Sequence, residues 1–187
     1  NVRRCAAGVG RYLLNQKQAG SGLVIGYDTR FGSRDFARVS AEQLAALNIP
    51  VSLSNRPVPT PTVSYTIADR QAAGGIIITA SHNPGTYNGF KFRPDYAGSA
   101  RPEIVMAIEA EIPDEAGVPQ MALAEARQRG LITEIDPWPN YRAKIESMAN
   151  LERIKAAGFR VVVDAMHGAG GGLWPELLAG GATNVTE

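Results

Sequence analysis

Ser81 and His82 stand directly behind a run of β-branched residues, Ile76-Ile77-Ile78, and Lys91 follows within the same segment, GGIIITASHNPGTYNGFKFRP over 74–94. The isoleucines read as a buried strand that ends at Thr79. Asn83-Pro84-Gly85 then turns the chain, Asn88-Gly89 makes a second tight turn, and a short return strand from Phe90 to Arg93 carries Lys91 back. A hydroxyl, an imidazole and an ammonium thus leave the end of one strand and approach each other on rigid backbone. A bland reading exists for each group: serine favours turns because it caps local backbone, and an edge-strand lysine guards against strand pairing. As a nucleophile, Ser81 suits two chemistries, acyl transfer with histidine as base or phosphoryl transfer. Acyl transfer needs the imidazole to reach the serine oxygen, but adjacent side chains on extended backbone point to opposite faces, so His82 is poorly placed. The other histidine is His167, and no G-x-S-x-G elbow occurs. Phosphoryl transfer asks for cations, amides and a metal around the phosphate, and Lys91 and Arg30 supply positive charge.

The elements that must position these groups alternate between strand and helix. Val2, Cys5, Ala6, Val9 and Leu13 share one face of a helix expected over 2–18, ended by Ala19-Gly20-Ser21-Gly22. A strand from Leu23 to Tyr27 stops at the polar Asp28-Thr29-Arg30. A second helix spans Ser33 to Leu47, with Phe36, Val39, Leu44 and Leu47 inward, and Val51 to Leu53 is a strand. Thr60-Pro61 starts a helix with proline in its first turn, with Val63 and Ile67 inside. The strand ending at Thr79 follows. This order argues an α/β sheet with helices packed on it, in which ligands bind outside the C-terminal ends of strands. Both Asp28-Thr29-Arg30 and the Thr79–Asn83 cluster sit at such ends.

After the loop Gly98-Ser99-Ala100, a helix is expected from Pro102 to Ile112 with Ile104, Ile108 and Ile112 inside, then a surface connection over 113–120. A short helix, Ala122 to Arg129, and an extended piece, Leu131 to Ile135, close a first domain of residues 1–136. Asp136-Pro137-Trp138-Pro139 marks the boundary to residues 137–187. There, Tyr141 to Ala157 reads as helical with a break near Asn150. Phe159 to Asp164 reads as a buried strand, and Leu173 to Leu178 opens a helix, with no sheet to complete the unit. Asp28 reads as a turn and cap residue, and His167, Trp138 and Trp174 as structural. Cys5 reads as an inert residue on a helix's inner face. Gly168-Ala169-Gly170-Gly171-Gly172 is a strand-to-helix turn, because Leu173 stands where a dinucleotide fingerprint needs its third glycine.

The chain has 187 residues, 44% hydrophobic, with a net charge of +1, so no global basic field points to nucleic acid. One cysteine excludes an internal disulfide framework and fits a reducing compartment, the cytoplasm. No apolar run approaches the roughly 20 residues of a membrane span.

Thr79-Ala80-Ser81-His82-Asn83-Pro84, followed by Asn88-Gly89-Phe90-Lys91, resembles the phosphoserine loop of the α-D-phosphohexomutases, the phosphoglucomutase, phosphomannomutase and phosphoglucosamine mutase enzymes. Gly26-Tyr27-Asp28-Thr29-Arg30 looks like the family's G-x-D-T-R segment, and the Phe159–Gly172 stretch like the start of its second domain. The Gly98-Ser99-Ala100 loop is most similar to phosphoglucomutase/phosphomannomutase members. The resemblance implies a mixed-sheet α/β/α domain I followed by the beginning of a second similar domain. It implies a mutase that interconverts hexose 1-phosphate and hexose 6-phosphate through a phosphoserine and a hexose 1,6-bisphosphate. Ser81 matches the phosphoryl-carrying serine, whose phosphate also binds Mg²⁺, and Lys91 matches a lysine beside the transferred phosphate. Arg30, His82 and Asn83 match positions that shape the phosphate and substrate site. Arg30 also reads as a helix-entry arginine in a surface ion pair worth under about 1 kcal/mol. Glucose 1,6-bisphosphate is the implied activator, and hexose phosphate and the enzyme's remaining domains are the implied partners.

The family's GTSG-x-R segment and its D-x-D-x-D metal loop do not occur in these residues. The expectation is therefore a piece of a larger mutase, inactive alone and weak in Mg²⁺ binding. A non-catalytic α/β module that binds a phosphorylated ligand or partner through the same loop is the alternative.

Overall fold

The computed structural model describes residues 1–114 and 118–187. The connection expected over 113–120 includes residues 115–117, which lie outside the described residues. The chain divides into two compact units, Asn1–Asp136 and Pro137–Glu187.

In the first unit, five strands form one sheet in the order β4-β3-β1-β2-β5. These are β1 (Leu23–Tyr27), β2 (Val51–Ser54), β3 (Gly74–Ile78), β4 (Phe90–Pro94) and β5 (Ile132–Ile135). β1 pairs parallel with β2 and β3, β2 pairs parallel with β5, and β4 runs antiparallel to β3 with Ile77 opposite Lys91. The sheet is thus mixed, and its middle strand is β1, with β3 next to it. Both β1 and β3 are buried along their whole length, as expected of strands covered on two faces. Leu23, Ile25, Ile76 and Ile78 face one cluster with α1 (Val2–Asn15) and α2 (Ser33–Ala46). Val24 and Ile77 face the other with Val63 and Ile67 of α3 (Thr60–Asp69). That is a helix–sheet–helix sandwich. α4 (Pro102–Ala110) adds Ile104 and Ile108 to the first cluster, and α5 (Leu123–Gln128) adds Ala126.

The inner face of α2 differs from the expected one. Phe36 is about one-third exposed, Val39 and Leu47 are half-buried, and the buried stripe is Ala37, Ala41, Leu44 and Ala45 with Ser33, Ser40 and Gln43. α2 lies against α1, where a Cβ on Gly10 would stand 2.5 Å from Leu47 Cδ1, so Leu47 packs toward the core as expected. The Phe36 ring instead lies beside Gly32, where an added Cβ would stand 3.3 Å from it. α1 also ends at Asn15, three residues before the expected stop, and a 3₁₀ turn over Ala19–Ser21 leads into β1.

The second unit holds α6 (Trp138–Met148), α7 (Leu151–Ala156), β6 (Arg160–Val162), α8 (Leu173–Leu178) and β7 (Asn184–Thr186). The break between α6 and α7 falls at Ala149–Asn150, where the Asn150 side chain accepts from Arg153 N at 2.9 Å and caps the new helix. Trp138, Leu151, Leu177 and Leu178 form the core of this unit. Two expectations are corrected here. β6 has a sheet partner, because β7 pairs with it in parallel. β6 is also not a buried strand: Val161 is half-buried but Val162 is 83% exposed, since alternation turns it away from the single covered face of a two-stranded sheet. Trp174 is about half exposed rather than packed. No described helix is long and apolar enough to cross a membrane.

Candidate active site

The C-terminal ends of β1 and β3 lie side by side, and the chain leaves them in opposite directions along the sheet. β1 leads through α2 to β2 on one side, and β3 leads to β4 on the other. Such a reversal opens a crevice where loops can present ligand-binding groups. One wall is the segment Asp28–Ser33 and the other is the loop 79–89.

That loop is closed at its base, where Thr79 N donates to Gly89 O at 3.0 Å. Gly89 is required there, because a Cβ would come 2.6 Å from the Thr79 carbonyl oxygen. Ser81 sits in the left-handed region at φ 54°, a conformation that costs a non-glycine residue of order 1 kcal/mol. Its N–H is satisfied by Thr79 Oγ1 at 3.1 Å, so the hydroxyl of a buried threonine holds the turn that lifts Ser81 into solvent. Residues 81–87 are all exposed.

Arg30 keeps this exposed loop in one shape. Its two terminal nitrogens donate to four loop carbonyls: Pro84 O at 2.7 Å, Tyr87 O at 3.2 Å, Ser81 O at 3.1 Å and Asn83 O at 2.6 Å. Its Nε lies 3.2 Å from Asp28 Oδ2. All five guanidinium N–H groups are therefore directed at protein acceptors. Asp28 is in turn fixed by Arg30 N at 3.0 Å and by Ser33 Oγ at 2.7 Å. Arg30 acts here as a clasp on the loop backbone, and within the described residues its contacts are protein groups throughout.

Lys91 reaches the site from β4. Phe90 and Phe92 pack on the core, so alternation turns Lys91 to the other side, and its Nζ donates to Ser81 Oγ in a short hydrogen bond. The ammonium and the hydroxyl are thus paired before any ligand arrives. His82 and Asn83 are exposed on the loop beyond Ser81. The His82 ring makes no hydrogen bond or ion pair with the described residues. Asn83 contributes its backbone, accepting from Arg30 and donating from N to Ala80 O at 3.0 Å. The structure brings Ser81, Lys91 and Arg30 into one connected set, with His82 and Asn83 at its solvent edge.

Two residues of this set were read from sequence only as a helix start and a turn. Ser33 is fully buried at the start of α2, and its hydroxyl joins Asp28 to Asn88. Asn88 donates to Phe31 O and Ser33 Oγ, each at 3.1 Å, and its Oδ1 accepts from Gly89 N at 3.1 Å. They tie the two walls of the crevice together. Asn88 stands 55 positions from Ser33, so no local spacing announces the pair.

Among the described residues, no group of three or more His, Cys, Asp or Glu could hold a metal ion. Ser81 Oγ offers one oxygen, and Asp28 is already committed to Arg30 and Ser33. These residues alone therefore do not fit a Mg²⁺ site. What they can do is carry a group on an exposed hydroxyl, with a cation bonded to the same oxygen.

Comparison with known proteins puts this geometry in a family. Residues 1–117 match the model for phosphoglucomutase/phosphomannomutase, alpha/beta/alpha domain I. A phosphoglucosamine mutase of a Ruegeria species is 34% identical over 176 residues, covering 94% of this chain and 38% of the relative. A phosphoglucomutase of Staphylococcus saprophyticus is 29% identical over 184 residues, covering 95% of this chain and 32% of the relative. Among solved structures, one described as a phosphomannomutase of Thermus thermophilus superposes with a TM-score of 0.86 at 32% identity, over 98% of this chain and 40% of that one. A Burkholderia thailandensis protein at 23% identity, with a TM-score of 0.76, shares the fold. The chain spans about a third of the length of the curated relatives it matches.

Proposed function

The chain belongs to the phosphoglucomutase/phosphomannomutase family, and on that premise we propose that its protein is a mutase exchanging phosphate between the 1- and 6-positions of a hexose. The observation that carries the proposal is the hydrogen bond from Lys91 Nζ to Ser81 Oγ, on a loop whose carbonyls Arg30 holds.

In the proposed reaction Ser81 Oγ carries a phosphoryl group. A sugar hydroxyl oxygen attacks the phosphorus in line and releases its proton to solvent, the bond from phosphorus to Oγ breaks, and Oγ leaves with the electron pair. Lys91 already donates to that oxygen, so it stabilises the charge that develops there and can hand it a proton. The product is a hexose 1,6-bisphosphate. After this intermediate turns over, Ser81 Oγ attacks its other phosphate and Lys91 takes the Oγ proton back; the sugar O–P bond breaks, the sugar oxygen takes a proton from solvent, and the phosphoserine is restored. Arg30 positions the loop, and His82 and Asn83 lie where they can meet the incoming phosphate. The Mg²⁺ proposed for the whole protein would need ligands beyond these residues, with Ser81 offering one oxygen. Glucose 1,6-bisphosphate would load Ser81 and so activate the enzyme.

Residues 1–136 are proposed as domain I and 137–187 as the beginning of a second α/β domain. The substrate is proposed at the level of a hexose phosphate, as the relatives' names span glucose, mannose-type and glucosamine mutases. Hexose phosphates are charged metabolites held inside the cell, so a cytoplasmic location belongs to the same proposal. The test is conversion of glucose 1-phosphate to glucose 6-phosphate by the protein expressed from its complete gene. Turnover that is lost in Ser81→Ala supports the reading. Turnover that survives that change, or its absence with glucose, mannose and glucosamine phosphates alike, overturns it.

A further inference from the structure

A second polar cavity lies away from Ser81, at the C-terminal ends of β1, β2 and β5, with a volume of about 270 Å³. Tyr27, Arg34 and Arg38 of α2 and Arg127 of α5 line it, with Asp35 and Glu134 also present. The Tyr27 residue is only 2% exposed, yet its hydroxyl makes no hydrogen bond with the described residues, and Tyr27 lines the cavity. The ring is buried, but the hydroxyl is not sealed off, so it can donate to an occupant of the cavity. Burial raises its pKa above the usual value, with Arg34 opposing and Glu134 reinforcing the shift, so at neutral pH it is an O–H donor.

The charges around that hydroxyl are unequal in how they are used. Arg127 is paired with Glu134, and Arg38 lies 3.8 Å from Glu42 at its Nε. Arg34 forms no salt bridge with any described residue. The cavity thus presents a donor hydroxyl, one unpaired guanidinium and one loosely paired guanidinium, against Asp35 as the carboxylate without an arginine of its own.

We propose that this cavity is a binding site for a phosphate group, held by the Tyr27 hydroxyl, Arg34 and Arg38. A guanidinium pair with a hydroxyl donor suits a compact dianion, because Arg forks match tetrahedral oxygens and the phenol adds a third donor. The cavity is too small for a whole nucleotide but accommodates inorganic phosphate or the phosphate end of a small phosphomonoester. Tyr27 is three positions before Arg30 on the same exit from β1, and neither Ser81 nor Lys91 lines the cavity. The site stands independently of the mutase reading, since none of Tyr27, Arg34 and Arg38 contacts Ser81 or Lys91.

The test is an NMR titration of the 187-residue chain with inorganic phosphate at constant ionic strength, with chloride as the matched control. The expected result is saturable shifts at Tyr27, Arg34 and Arg38 in the millimolar range, absent with chloride. Tyr27→Phe keeps the buried ring and removes only the donor, and should weaken the affinity about tenfold. Arg34→Gln, an exposed helix position, should weaken it by a similar factor of about ten. Glucose 6-phosphate in a parallel titration separates the two sources: shifts at Tyr27 equal to those with inorganic phosphate identify the phosphate alone as the recognised group, and tighter binding identifies a phosphomonoester. Shifts confined to the Ser81–Lys91 loop, or unchanged affinity in both variants, would overturn the proposal. Loss of the loop shifts with the Tyr27 shifts retained would instead count against the mutase reading alone.

Discussion

Replacing Arg30 by methionine should release the 81–87 loop without unfolding the sheet. The wild-type guanidinium donates to four carbonyls at 2.6–3.2 Å and pairs with Asp28. Those carbonyls sit on an exposed loop, so water replaces the lost donors and each bond is worth only about 0.5 kcal/mol net. The largely buried Asp28 pair adds about 0.5 kcal/mol at most, because Asp28 keeps its bonds from Ser33 Oγ and the backbone N of residue 30. The total is about 2 kcal/mol, a factor of about 30 in the population of the closed loop. Native-state hydrogen exchange reads this directly. The Asn83 and Tyr87 amides, which bond to Ala80 O and Pro84 O within the clasped loop, should exchange about 30-fold faster in Arg30→Met. Amides of β1 at Ile25 should be unchanged. Arg30→Lys should recover only part of the protection, because one ammonium cannot span four carbonyls. Unchanged exchange at Asn83 and Tyr87 in the methionine variant would refute the clasp.

Gly89→Ala would push a Cβ to 2.6 Å from Thr79 O, and should lower stability by about 1–3 kcal/mol in urea unfolding while displacing Ser81 from Lys91. Ser33→Ala removes the buried hydroxyl between Asp28 and Asn88, and the expected cost is about 1–2 kcal/mol by the same assay; a change under a few tenths would show that the hydroxyl links nothing. Burial raises the Tyr27 pKa above its ordinary 10.0, so the fold favours the protonated phenol. That contribution is complete below about pH 10 and is lost as the pH rises through the folded-state pKa. Thermal melts should therefore fall less steeply at alkaline pH in Tyr27→Phe than in the wild type, and parallel curves would contradict the assignment. The 187 residues alone should show no mutase turnover, since the described residues build no metal site; measurable conversion of glucose 1-phosphate by them would contradict that expectation.

Much of the fold was legible because local signals agreed with tertiary demands. The Leu23–Tyr27 and Leu173–Leu178 spans match the elements observed, and the isoleucine run marks β3 because parallel strands buried on both faces need continuous apolar sequence. The failures have specific causes. Phe36 was expected inward by size, but its ring lies beside Gly32 and is 37% exposed, while the fully buried stripe of α2 is mostly small residues. Val162 was expected buried by composition, yet in a two-stranded sheet with one covered face its position points outward. At the site, Ser81 and Lys91 were visible because their motif is contiguous. Ser33 and Asn88 were hidden because their partnership is made by the fold, across 55 positions of chain, between residue types that are common in caps and turns.

The central claim is that Ser81 carries the phosphoryl group. The most direct measurement is the intact mass of the protein expressed from its complete gene, with and without glucose 1,6-bisphosphate, followed by peptide mapping. The account predicts one added phosphoryl group, located on Ser81 and absent from Ser81→Ala. A folded protein that gains no phosphoryl group, or gains it at another residue, would contradict it.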